Sequence, residues 1–209
     1  MTSSVGVSTR DRVVSPQERT AGPAPLDAVL LRDVIARRPI RAPNIDAENA
    51  AYIALARQLA EGSQAVLQSL VDAAVSLCDA GTAGVSLLEA PAAGPAIFRW
   101  TALSGTLAEH IGGTTPRNFS PCGYCLDQGA PVHFSHPERR FEYFKKVGIP
   151  FVEALVLPFD VDGKPDGTIW IIAHDSSRKF DLEDVRIMTR IATFTGAAYS
   201  MLRKQATVS

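Results

Sequence analysis

Residues 151–199 constrain this chain most, because FVEALVLPFDVDGKPDGTIWIIAHDSSRKFDLEDVRIMTRIATFTGAAY reads as strand, reversal, strand, polar break and long helix in immediate succession. Val152, Ala154, Val156 and Pro158 alternate with Glu153, Leu155, Leu157 and Phe159. Both sets are largely apolar, so the first strand is expected to be central and covered on both faces. Asp162-Gly163 and Asp166-Gly167 bracket Lys164-Pro165 and are expected to supply the positive φ angles of the reversal. The returning strand, residues 168–174, is rich in β-branched and aromatic side chains and ends in the polar run from His174 to Ser177. Asp181 is placed to cap a helix whose first turn carries Glu183 and Asp184, favourable against the positive end of its dipole.

The rest of the chain fits one domain with an extension. Residues 1–25 are rich in Ser, Thr, Pro, Gly and Arg without periodicity and are expected to form a disordered tail. Residues 26–62 read as a helical extension: a short amphipathic helix carrying Leu26, Val29, Leu30 and Val34, ended by Pro39, then a helix capped by Asp46 that runs to Leu59. Arg37, Arg38 and Arg41 are expected to form a solvated basic face. A further helix opens at Ser63 or Gln64 and ends at Cys78, with residues 85–89 and 96–103 following as a first hairpin. Glycines and prolines punctuate residues 104–131, which predicts a long loop with one helical turn at 106–111. A short strand at 131–134 and a short helix at 138–147 lead into the central hairpin.

Chemistry-bearing residues concentrate in that loop and just after it. Cys122, Cys125, His133 and His136 form a C-x2-C-x7-H-x2-H pattern. Zinc needs about four converging ligands, but His133 in a strand and His136 beyond it are expected on opposite faces, so no metal site is assigned. Cys122 and Cys125 remain a candidate redox pair, although the strand-then-helix context that activates such thiols is not evident. The alternative is that both are small buried apolar side chains. With 21 Lys plus Arg against 22 Asp plus Glu, the charge balance points to neither nucleic acid nor an anionic membrane. No apolar run approaches the ~20 residues of a membrane-spanning helix, and residues 1–20 lack a signal-peptide core, so the expected location is cytoplasmic.

An E-x-L-x-x-P-F strand from Glu153 to Phe159, a D-G turn, a G-T-I-W strand ending A-H-D and an F-D-x-E-D helix start from Phe180 to Asp184 resemble the C-terminal half of a GAF domain. Ser120-Pro121-Cys122-Gly123 and His136-Pro137-Glu138-Arg139 are similar to the variant found at the sensory end of bacterial histidine kinases. The resemblance runs over residues 64–204, and the domain is placed at 63–204 with a short tail at 205–209. It implies an α+β fold: a central antiparallel sheet of five or six strands, the N- and C-terminal helices on one face and a loop-lined cavity on the other.

The same resemblance implies a sensory or regulatory module that binds a small molecule. Its cavity would be lined by Trp100, Phe119, Cys122, Phe134, Phe141, Tyr143, Glu153, Trp170 and His174. No ligand is identified, no catalytic residue is assigned, and the cysteine contexts of bilin attachment are not found. A competing reading is a thiol enzyme similar to stand-alone GAF reductases of free methionine sulfoxide. Those enzymes carry a nucleophilic cysteine before the central strand, where this chain has Val147-Gly148-Ile149-Pro150. A third reading is a structural dimerisation module. Helix 181–204 carries two apolar stripes, one through Ile187, Ile191, Phe194, Ala198 and Met201, the other through Val185, Met188, Ala192, Thr195, Tyr199 and Leu202. The second predicts cover from the helix ending at Cys78 or from a second subunit, hence a parallel homodimer signalling to a partner such as a histidine kinase.

Overall fold

The computed structural model describes residues 22–61 and 65–208. Most of the expected N-terminal tail, and the proposed helix start at Ser63 or Gln64, lie outside the described residues. β5 (Glu153–Val161) and β6 (Lys164–Ala173) pair antiparallel over their whole lengths; β6 is one of the two middle strands of the sheet, whereas β5, expected to be central, lies beside an edge strand. Asp162 and Gly163 alone make the reversal, with φ of 51° and 76°, the two left-handed residues that a tight hairpin of this twist requires. The second Asp-Gly pair is not in the turn. Asp166 and Gly167 lie within β6, next to an irregularity at Phe159/Asp160. A Cβ on Gly167 would come within 2.5 Å of the Ser86 carbonyl oxygen and of the Phe159 ring, so the glycine there answers a close approach and not a turn.

With β1 (Thr82–Glu89), β2 (Ile97–Gly105), β3 (Thr114–Pro116) and β4 (Val132–Ser135), these strands form a six-stranded antiparallel sheet in the order β3-β2-β1-β6-β5-β4. Strand alternation sorts its side chains into two cores. Leu155, Leu157, Phe159, Ile169 and Ile171 face the helices, whereas Ala154, Val156, Trp170 and Ile172 face the other way. The helix face is covered by α2 (Val66–Cys78) and α4 (Leu182–Val208), with α1 (Ile45–Ala60) laid over them through Leu55 and a Tyr52–Phe194 ring contact at 6.3 Å.

Helix α4 begins as its sequence demands. The Asp181 carboxylate accepts from the Glu183 and Asp184 N–H groups at 2.7 and 3.2 Å, and Asp184 accepts from the Asp181 N–H at 2.9 Å, a reciprocal cap. The helix continues through Val208, beyond the expected end at 204. Of its second stripe, Met188, Ala192, Thr195 and Leu202 are buried within the monomer and Val185 and Tyr199 half-buried, while Ile187, Ile191 and Ala198 of the first are buried too. Gly196 lets the helix close on the sheet, since a Cβ there would sit 2.2 Å from the Asp160 carbonyl oxygen.

The N-terminal extension differs most from expectation. In place of an amphipathic helix, two 3₁₀ turns (Leu26–Ala28 and Ile35–Arg37) flank an extended strap that bridges Leu30 to Phe134. The Leu31 N–H donates to the His133 carbonyl at 2.9 Å, and the Ser135 N–H donates to the Val29 carbonyl at 2.8 Å, covering the β4 edge. Asn44, not Asp46, caps α1. Of the three arginines expected to form a solvated face, Arg37 is exposed, but Arg38 and Arg41 are partly buried and paired. Arg38 forks onto Glu153 with two bonds of 2.7 Å and reaches the Phe180 carbonyl, while Arg41 donates to Asp184 and to the Leu77 carbonyl, each at 2.8 Å. Buried carboxylates need such partners, and these two are supplied from the far end of the chain.

Glu153 also accepts from His133 Nε2 at 3.0 Å and from the Phe180 N–H at 3.2 Å. Burial works to raise its pKa, but the bonds from His133 and Arg38 outweigh that and hold it well below the usual carboxylate range. A carboxylate depressed in the fold contributes stability that is complete above its unfolded value of about 4.3 and is lost as pH falls toward the folded value. Acid unfolding followed by circular dichroism is therefore expected to steepen below about pH 4.3, and Glu153→Gln to flatten that limb. Arg38→Met, which strands the buried carboxylate, is expected to cost about 3–5 kcal/mol in denaturant titrations at neutral pH.

Candidate functional site

The outward face of the sheet and the segments crossing it enclose an apolar cavity. Trp100 from β2, Thr115 from β3, Ala154 and Val156 from β5, and Trp170 and Ile172 from β6 form its floor and sides. Pro121, Cys122, Pro137, Phe144 and Phe151 close it from above. Its volume is about 30 Å³, enough for a water or two and far below the ~300–1,000 Å³ of ordinary small-molecule pockets. Three roomier surface grooves lie elsewhere among the described residues: those of about 480 and 370 Å³ are lined by none of the nine residues singled out from the sequence, and one of about 110 Å³ is lined by two of them, Phe119 and Phe141.

Close packing fixes the two indoles. Gly84 makes room for Trp170, since a Cβ there would lie 2.3 Å from the indole carbon Cζ2. Trp170 donates its Nε1–H to Ser86 Oγ at 2.8 Å, which satisfies the ring's polar atom inside the core. Trp100 meets Trp170 edge-on with centroids 5.7 Å apart and stacks toward Phe144 at 6.5 Å.

Of the residues expected to line the site, Trp100, Cys122 and Trp170 do so. Phe134 and Phe141 are buried in the same apolar cluster without reaching the cavity. Phe119, 37% exposed, stands outside the roof, where its carbonyl accepts from the Tyr143 hydroxyl at 3.2 Å. Glu153 is on the opposite face of the sheet, and this corrects its placement: it shares the alternation of Leu155 and Leu157, which contact helices, and not that of Ala154 and Val156. His174 sits at the rim, packed 6.1 Å from Phe151, with both ring nitrogens engaged by protein. The Pro150 carbonyl can only accept, so Nδ1 carries the proton, and Nε2 receives the Thr82 hydroxyl, each at 2.7 Å. The ring ties the loop before β5 to β1.

Sequence reasoning missed Thr115, Pro121, Pro137, Phe144, Phe151, Ala154, Val156 and Ile172. For three of these the signal was present, because Ala154, Val156 and Ile172 share a face with Trp170 by strand alternation and register.

The punctuated region 104–131 is more regular than expected. It contains β3 and a helix, α3 (Pro121–Gln128), capped by Ser120 Oγ accepting from the Gly123 N–H at 3.0 Å and opened by Pro121. Cys122 therefore does lie in a first helical turn, but it is buried, and burial pushes its thiol up, away from thiolate. Its sulfur is 3.7 Å from Ser86 Oγ. Cys125 donates to the Val156 carbonyl at 3.3 Å and is pushed up by burial, as is Cys78 at the end of α2. All three cysteines are free. His133 and His136 go to separate carboxylates, Glu153 and Glu138, at 3.0 and 3.3 Å.

No helix among the described residues is long and apolar enough to cross a membrane. Comparison with curated proteins finds no match. Among solved structures, the GAF domain of a phosphoenolpyruvate-protein phosphotransferase from Coxiella burnetii aligns at 13% identity with a TM-score of 0.62, over 78% of this chain and 99% of that one. GAF-B of DevS from Mycobacterium smegmatis aligns at 21% identity and 0.55, over 68% and 96%. Free methionine-R-sulfoxide reductase from Neisseria meningitidis, solved with its substrate, aligns at 14% identity and 0.58, over 80% and 97%. Identities this low establish a shared fold. A family model for the GAF domain matches residues 60–199, spanning α2, all six strands and most of α4, and this chain belongs to the GAF domain family.

Proposed function

We propose that this chain is a sensory or regulatory GAF domain that binds a small molecule between the sheet and its roof and passes the bound state to a partner. The observation that carries this reading is an apolar cavity whose wall holds both tryptophans of the chain, no charged side chain, and one thiol, Cys122, that burial pushes toward the neutral form. Native mass spectrometry after exposure to a cell extract is expected to show a small-molecule adduct on the wild type. Ala154→Phe, which fills the cavity, should lose it, and an adduct that survives this substitution would place binding elsewhere.

A thiol enzyme like the methionine sulfoxide reductase is the competing reading. It needs a reachable thiolate, and here all three thiols are buried and pushed toward the neutral form. Ellman's reagent is expected to label none of them rapidly in the native protein and all three after denaturation. Rapid native labelling of Cys122 or Cys125 would revive the redox reading.

For output, a second copy docks on the outer face of α1 and α4, where Ile53, Thr193, Ala197 and Met201 are exposed, in a cytoplasmic complex with a partner such as a histidine kinase. Small residues at four-residue spacing permit the close helix approach that a symmetric interface needs. Sedimentation equilibrium is expected to give twice the 22.4 kDa chain mass. Ala197→Glu should shift the protein to monomer without loss of helicity, and a wild type that stays monomeric at tens of micromolar would refute the interface.

A further inference from the structure

We infer that the cavity takes a small, uncharged, largely apolar molecule, admitted by outward movement of residues 137–147 with Phe144 as the gate that sets the size of what fits. This rests on the ligand-binding reading above and narrows it to a chemical class.

The class follows from the wall. None of its eleven residues is Lys, Arg, His, Asp or Glu. A carboxylate, phosphate or ammonium entering it would give up its hydration with no countercharge to replace it, a penalty of several kcal/mol or more. The glutamate and histidine that could have anchored a polar ligand are committed elsewhere, Glu153 on the far face and His174 with both nitrogens used. One wall hydroxyl has hydrogen-bonding capacity left: Thr115 Oγ1 is buried with no partner, its residue only 3% exposed. A ligand carrying a single hydroxyl, carbonyl or similar group can be met there, but one carrying several cannot.

The gate follows from size and from the backbone. At about 30 Å³ the cavity is closed around its own side chains, and an organic molecule enters only if one of them leaves. The roof segment is built to do so. It carries Pro137 and Phe144 into the cavity and contains only 3₁₀ turns, Pro137–Arg139 and Glu142–Val147. A left-handed residue bounds it at each end, His136 with φ 49° and Gly148 with φ 74°, where a change of a few dihedrals swings the piece between them. Few bonds hold its outer side down: Tyr143 donates its hydroxyl to the Phe119 carbonyl at 3.2 Å, the Arg140 guanidinium lies 5.0 Å over the Phe119 ring, and the strap's Ala24 N–H donates to the Arg139 carbonyl at 2.8 Å. Inside, Phe144 lies 4.9 Å from Phe151 and stacks toward Trp100, so its ring occupies the volume that a ligand would take.

Both tryptophans of the chain are in the wall, so selectively excited tryptophan fluorescence reports on this cavity. Bromobenzene, an uncharged heavy-atom quencher, and 4-bromobenzoate, its charged counterpart, are titrated into the full chain. Bromobenzene is expected to quench saturably, at least about ten-fold more tightly in Phe144→Ala than in the wild type, and bromobenzoate to show no saturable phase in either. If Phe144→Ala does not fold, Phe144→Leu replaces it with a smaller gain expected. Tyr143→Phe, which keeps the ring and removes the latch, is expected to speed bromobenzene entry several-fold in stopped flow. Saturable quenching by bromobenzoate as strong as that by bromobenzene would overturn the chemical class while leaving ligand binding intact. Bromobenzene binding indifferent to both Phe144 substitutions would overturn the gate. No saturable quenching by either probe in wild type or variant would remove this inference and the ligand-binding reading together.

Discussion

The carboxylate of Glu153 is where the parts of this molecule are joined. It sits 2% exposed at the start of β5, and its neighbours come from three places: Arg38 from the strap, His133 from the edge strand, and the Phe180 amide and Lys179 from the approach to α4. Removing a carboxylate from water costs several kcal/mol, so the cluster is no net source of great stability. Its consequence is positional. A buried charge tolerates few arrangements of its partners, and the strap, the β4 edge and the entry to α4 are therefore fixed relative to one another. Asp184 repeats the device in the first turn of α4, where it holds Arg178 and Arg41. The strap is thereby pinned at two points and covers an edge that would otherwise expose its backbone to pairing with another chain.

Part of this was legible in the residues and part was not, and the division follows the range of the interactions. The β5–β6 hairpin, the Asp181 cap and the alternation of the central strands are local, and neighbouring residues carry them. The strap is not local. Nothing near Arg38 or Arg41 indicates that the carboxylates waiting for them lie 115 and 143 positions later, and charged residues between prolines are more often solvated. Helix α3 was hidden by its own composition: Pro121, Gly123 and Gly129 read as breakers, yet Pro121 is the favoured first residue, Gly129 the left-handed C-cap, and Gly123 sits where a Cβ would strike the Arg117 carbonyl at 1.9 Å. Glu153 was assigned to the cavity as a polar anchor by family resemblance, although strict alternation with Ala154 already put it on the other face. There the local rule was the better guide.

The sheet's two faces have different physical characters, and this bears on how a bound molecule can be felt at a distance. On the helix side the core is continuous from β1 to α4. On the other side, aromatic rings lean on one another across a small void under a roof of short turns. Packed interiors transmit displacement because they cannot absorb it. β5 is the shared layer: Ala154 and Val156 touch the void, and Leu155 and Leu157 between them touch the helix core. A molecule that enlarges the void must move the roof or the strand. Only displacement of the strand reaches α4, through its contacts with β5 and the closely approached Gly196.

A ligand shifts an equilibrium only by the difference in its affinity for the two states. If all of its binding energy were spent in lifting Phe144, the roof would open and α4 would be indifferent to it. The loop that leads into β5 touches both the void and the strand start. Phe151 lies in the cavity wall immediately before β5, the Val152 N–H bonds the Ala173 carbonyl of β6 at 2.9 Å, and His174 ties Pro150 to Thr82 on β1. Next along the chain is Glu153, whose partners include the amide of Phe180 at the approach to α4. Phe151 therefore stands two residues from Glu153, which both begins a strand paired on both flanks and bonds the helix entry. The short path from void to helix entry runs along the backbone from Phe151 to Glu153 at the start of β5.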